Sequence, residues 1–164
     1  MRAHHALSPL LLGLFAAAPI HAAPGVNLSW NSCAGEGGVQ NKTFACDTNV
    51  GTRTMYGSFV FSANQAHFIG AEIILDFQAQ NPSLPAWWQL QGGGCRNTAL
   101  SASFNFTSDP GVSCHDPWAG QGTGGIGAYS TPAQPGGDSN TARLTIVAAV
   151  PSSIPQSLTA GTEY

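Results

Sequence analysis

The segment Phe68-Ile-Gly-Ala-Glu-Ile-Ile-Leu-Asp-Phe-Gln78 decides the fold class of this chain. Ile73, Leu75 and Phe77 are spaced two residues apart, so an extended backbone places all three on one face. The intervening positions carry two acids and point the other way. Apolar residues at a period of two are typical of a β-strand with one buried face.

The same alternation recurs along the chain in residues 26–30, 102–107 and 143–150, and residues 56–61 form a further β-prone run. Gly-, Pro- and Asn-rich turns separate these segments, and the glycine-rich residues 120–137 are interpreted as a surface loop. A single helical turn is expected within residues 85–90. Short strands separated by such turns predict an all-β protein, an antiparallel β-sandwich or jelly-roll-like single domain.

The N-terminus has the pattern of a secretory signal peptide. Arg2 precedes a short apolar run (residues 7–18), which small residues follow, and we expect residues 1–23 to be removed. The run is shorter than the roughly 20 apolar residues of a membrane-spanning helix. Residues 24–164 then form one domain, secreted to the extracellular space, the cell surface or the periplasm. Residues 159–164 begin a further strand, so the domain is expected to be truncated at its C-terminus.

Charged residues make up only 8% of the chain, against about 25% in typical globular proteins. Four cations follow the leader, Lys42, Arg53, Arg96 and Arg143, against eight acids. Four scattered cations do not supply the basic stripe that a phosphate backbone requires. Nucleic acid is therefore not expected as a partner.

Four cysteines in an exported chain predict two disulfides. Of the three possible connectivities we favour Cys33–Cys46 and Cys95–Cys114, because each pair brackets a turn-rich stretch. A structural zinc site is not expected, because the chain lacks a C-x-x-C pair.

Candidates for catalysis are few. Glu72 and Asp76 share a strand face, but four residues of strand separate them by about 13 Å, too far for a glycosidase carboxylate pair. No nucleophile elbow surrounds a serine. We predict no catalytic residue, no metal and no cofactor. A small secreted hydrolase remains an alternative if acids and histidine converge in the fold, the candidates being Glu72, Asp76, Asp109, His115 and Asp116.

Two adjacent tryptophans, Trp87 and Trp88 in Leu-Pro-Ala-Trp-Trp-Gln-Leu, are the positive indication of a binding site. In an extended segment one would face the core and the other solvent, where an indole offers a stacking surface for a sugar or a protein. A carbohydrate-binding module using these residues is one alternative function. Trp30 and Trp118 are expected to pack against disulfides.

Several longer motifs also stand out: Trp-Asn-Ser-Cys33, Gln40-Asn-Lys-Thr-Phe-Ala-Cys46, Leu-Pro-Ala-Trp-Trp, and Gly-Gly-Gly-Cys95-Arg. In these motifs the chain resembles an uncharacterised family of secreted bacterial proteins. The resemblance implies a β-rich exported protein and brings no activity or catalytic residues with it.

Taken together, these patterns predict a non-enzymatic structural or binding protein, with another protein or a surface polysaccharide as its partner. A strand cut short at the C-terminus would leave an unpaired neighbour. We therefore expect self-association through a sheet edge near residues 143–150.

Overall fold

The computed structural model describes residues 22–44, 50–104, 106 and 114–164. Two 3-10 turns, Ala34–Glu36 and Ala86–Trp88, interrupt an otherwise all-β chain, and every strand pair is antiparallel. The predicted fold class is therefore confirmed. The strands are β1 (Gly25–Trp30), β2 (Met55–Val60), β3 (Gln65–Phe68), β4 (Gly70–Gln78), β5 (Thr123–Ser130), β6 (Thr141–Ala149) and β7 (Gln156–Leu158).

The largest sheet has the strand order β4-β6-β5. In β4 the predicted inner face is confirmed: Leu75 is buried, whereas Glu72 and Asp76 are exposed. In β6 Leu144 and Ala148 are buried in the same way. Because β6 pairs along its length with β4 on one side and β5 on the other, it is the central strand. The prediction of an open edge near residues 143–150 is therefore wrong.

Strand β5 occupies residues 123–130 of the predicted surface loop at residues 120–137, and residues 131–137 carry no strand. Its glycines are explained by close packing: a Cβ on Gly124 would lie 2.1 Å from the Val147 carbonyl oxygen and 2.9 Å from the Phe104 ring. A glycine-rich segment therefore approaches β6 more closely than side chains would allow. The register shifts between Ile126 and Ala128, as at a β-bulge.

Strand β1 is where the expected face is reversed. Ser29 is 1% exposed and Asn27 9%, whereas Val26 is 67% exposed. The polar residues are buried because each finds a hydrogen-bond partner: the Ser29 hydroxyl donates to the Ser32 carbonyl, and the Asn27 amide bonds the Ala23 backbone. Periodicity identified the strand, but satisfied hydrogen bonds decided which face turned inward.

The C-terminal residues pair with β2. Tyr164 and Phe59 exchange both backbone hydrogen bonds, at 2.9 and 3.0 Å. Glu163 bridges to Val60, the last residue of β2. The expected strand at residues 159–164 is thus reduced to a short bridge, and β7 precedes it.

The predicted strand at residues 102–107 is not formed at 102–104, which have no regular structure. Phe104 and Phe106 pack instead against the buried cluster of Trp118, Ala148 and Val150. Trp118 is therefore a core residue, in contact with Phe68 and Phe104 rings.

The disulfide pairing differs from the predicted one. Cys33 is bonded to Cys114; their Cα atoms are 5.7 Å apart and the two residues are separated by 81 positions in sequence. Cys95 is an exposed free thiol, so neither favoured pair forms, and Cys46 lies outside the described residues. A long-range bond was missed because sequence spacing carries no information about strands that meet only in the fold.

Two other predictions concern the N-terminus. The predicted leader, residues 1–23, falls almost wholly outside the described part of the chain, which begins at Ala22. Within the described part, no helix has the length and apolar character needed to cross a membrane.

Candidate binding surface

The second 3-10 turn holds the paired tryptophans in a fixed position. The Tyr129 hydroxyl, on β5, donates to the Trp88 carbonyl oxygen at 2.5 Å. The Gln89 side chain donates to the Leu84 carbonyl at 3.0 Å, and Leu84 is itself buried. Burial raises the pKa of the Tyr129 phenol above its usual value, so this donor stays protonated at neutral pH.

Both tryptophans are half-buried, which differs from the predicted arrangement of one inward and one outward ring. That arrangement assumed an extended segment, whereas a 3-10 turn places adjacent side chains at an angle. The two indoles meet edge to face, with centroids 5.0 Å apart.

The indoles belong to a larger continuous surface. Trp87 stacks on Phe44 at 5.7 Å, and Phe44 meets Trp30 at 4.7 Å. At the other end, Trp88 contacts Phe77 of β4 at 5.4 Å. All five rings are half-buried. We call this surface the aromatic strip: Trp30, Phe44, Trp87, Trp88 and Phe77.

Three cations lie against the aromatic strip. The Arg96 guanidinium is 4.4 Å from the Trp87 centroid. Lys42 and Arg53 lie 5.6 and 5.9 Å from the centroid of Phe44. These distances are within the range of cation–π attraction.

A shallow groove of about 350 Å³ adjoins the Trp88 end of the strip. Its walls combine apolar surface, including Phe77 and Trp88, with exposed amide side chains that both donate and accept hydrogen bonds. The amides belong to Gln78, Gln80 and Asn81.

The predicted acids do not converge on this groove. Asp76 accepts two hydrogen bonds from Arg143, both at 2.7 Å, on the outer face of the largest sheet. The Arg143 guanidinium lowers the pKa of Asp76. Asp116 accepts from the Trp118 and Gly120 amides and so stabilises a turn. Asp109 lies outside the described residues.

His115 lines a separate depression of about 270 Å³, with Glu36 and Glu163. The Glu163 carboxylate already accepts hydrogen bonds from the Ala34 and Gly35 amides, at 2.9 and 2.8 Å, and from the Ser58 hydroxyl. The Glu163 carboxylate therefore serves as a structural acceptor that joins separate segments of the chain. Among the described residues, no three His, Cys, Asp and Glu side chains form a group that would hold a metal ion.

Sequence reasoning missed Phe44, Arg96 and the other cations of the strip. The Trp30 ring contacts Phe44, and its packing against a disulfide stays a prediction. Among these residues, only Arg96 could have been associated with the tryptophan pair from the sequence, because it lies close to the pair along the chain. Phe44 is remote from Trp87 in sequence and contacts it only through folding.

No protein-family model matches the chain, and no curated protein or solved structure matches it either. The resemblance to secreted bacterial proteins therefore stays a prediction.

Proposed function

We propose that this is a secreted, non-enzymatic binding protein that holds a polysaccharide on the aromatic strip and in the adjoining groove. The observation that carries the proposal is the continuity of five half-buried rings drawn from four separate segments. Secretion is supported by the apolar N-terminus and by the disulfide, a bond that persists in oxidising compartments.

The chemistry of the surface suits a sugar chain. The C–H faces of sugar rings pack on aromatic faces through many small dispersion contacts. Sugar hydroxyls both donate and accept, which matches the amides of Gln78, Gln80 and Asn81. The Tyr129–Trp88 bond fixes the indoles in advance, so little conformational entropy is lost on binding.

Affinity electrophoresis through gels containing soluble polysaccharides, neutral and acidic, tests the proposal. We expect at least one polymer to retard the protein, and Trp88→Ala to abolish the retardation without unfolding the chain. Ile74→Ala, on the exposed outer face of β4, is the control and should migrate as the wild type does. The proposal fails if no polymer retards the protein, or if Trp87→Ala and Trp88→Ala both migrate like the wild type.

A further inference from the structure

We propose that the polysaccharide is acidic and that Lys42, Arg53 and Arg96 bind its carboxylates. This inference rests on the proposed function and names the class of polymer. Its basis is the distribution of cations in a chain whose net charge is −3. Of the four cations in the described part of the chain, three lie on the aromatic strip.

These three cations differ from the fourth in their partners. Arg143 forms the ion pair with Asp76. Lys42 donates to the Asn31 side-chain oxygen and Arg53 to the Thr52 carbonyl, both neutral acceptors. Across the described residues, none of the three is paired with a carboxylate. Like charges that have no carboxylate partner in the described part of the chain repel one another, and an anionic ligand would relieve that repulsion.

Arg96 carries the most specific part of the argument. Its backbone amide donates to the Gln89 carbonyl at 3.0 Å, and its guanidinium lies 4.4 Å from the Trp87 centroid. Its Nε is buried and has no hydrogen-bond partner among the described residues. Because a ligand cannot reach the buried Nε, a carboxylate would bind the terminal N–H groups of the guanidinium.

The aromatic strip also discriminates among polyanions. An acidic peptide would use the cations but would leave the amide-lined groove of Gln78, Gln80 and Asn81 without a specific role. Single-stranded nucleic acid also stacks on aromatic rings, so oligo-dT is the competing polyanion in the test below. A uronic-acid polymer offers sugar faces for the rings, hydroxyls for the amides and carboxylates for the cations.

Titration calorimetry with matched polymers is the test. Polygalacturonate, alginate and hyaluronate are each compared with their methyl esters, which keep the sugar backbone and remove the charge. We expect at least one acid form to bind at least about tenfold more tightly than its ester, with affinity falling as salt is raised. Arg96→Gln should weaken binding about tenfold. Arg143→Gln, the matched control, should not change it.

The outcomes separate this inference from the proposed function. If an ester or a neutral polymer binds as tightly as the acid, and Trp88→Ala still abolishes binding, the charge inference is wrong and the binding surface stands. If polyglutamate or oligo-dT binds as tightly as the uronates, the inference is wrong as well. If no polymer of either kind binds, both proposals fall.

Discussion

The Glu163 carboxylate accepts a hydrogen bond from the Ala34 amide at 2.9 Å, across 129 positions of the chain. The same carboxylate accepts from the Gly35 amide and the Ser58 hydroxyl. It therefore joins the C-terminus to the 3-10 turn that follows Cys33 and to β2.

We expect Glu163→Ala to lower the free energy of unfolding by about 1–3 kcal/mol, because three partly buried donors lose their acceptor. Urea denaturation measures the change. Glu72→Ala, on the exposed face of β4, is the control and should shift stability by less than about 0.5 kcal/mol. Equal effects of the two variants would show that the C-terminal contact contributes nothing.

The Asp76–Arg143 ion pair should make a small contribution to stability that depends on pH. Because the folded-state pKa of Asp76 is lowered, the contribution is present above the unfolded pKa of about 4. It is lost as the pH falls through the folded value. A double-mutant cycle with Asp76→Asn and Arg143→Gln, run at neutral pH and again near pH 2, measures the coupling. A coupling free energy that is the same near pH 2 as at neutral pH would show that the ion pair is not its source.

Tyr129 should make the tryptophan turn sensitive to alkali. A raised folded-state pKa means that its stabilising effect is present below the unfolded pKa of about 10 and is lost as the pH rises through the folded value. Tyr129→Phe should lower stability at neutral pH by about 1 kcal/mol and should reduce the loss of stability above pH 10. The measurement is thermal melting followed by tryptophan fluorescence. A variant with wild-type melting at both pH values would show that the bond to Trp88 is unimportant.

The cysteines can be assigned by chemistry. We expect native alkylation to label Cys95, which is exposed, and non-reducing digestion to yield a peptide joining Cys33 to Cys114. Replacing Cys33 and Cys114 together by serine should lower stability by about 2–5 kcal/mol. A peptide joining Cys33 to Cys46, or Cys95 to Cys114, would overturn the observed pairing. Protection of Cys95 in the native protein would show a second crosslink.

The sequence predicts those elements of the fold whose cause lies within a short stretch of the chain. The alternation in β4 and β6 is visible in short windows of sequence, because it follows directly from the geometry of an extended chain. The helical turn at Ala86–Trp88, within residues 85–90, was predictable for a similar reason. Strand β5 was not, because its glycines are required by contacts with Val147 and Phe104, and neither contact is local.

The sequence by itself determined that this is an antiparallel β-protein and which faces of β4 and β6 are buried, and it singled out Trp87 and Trp88. The tertiary structure alone decided the partner of Cys33, the inward turn of Asn27 and Ser29 in β1, and the central place of β6. It also brought Phe44 and three cations to the tryptophan pair. The physical reason is shared: periodicity reports the conformation of one segment, whereas disulfides, buried hydrogen bonds and ring contacts join segments that the chain connects only by folding.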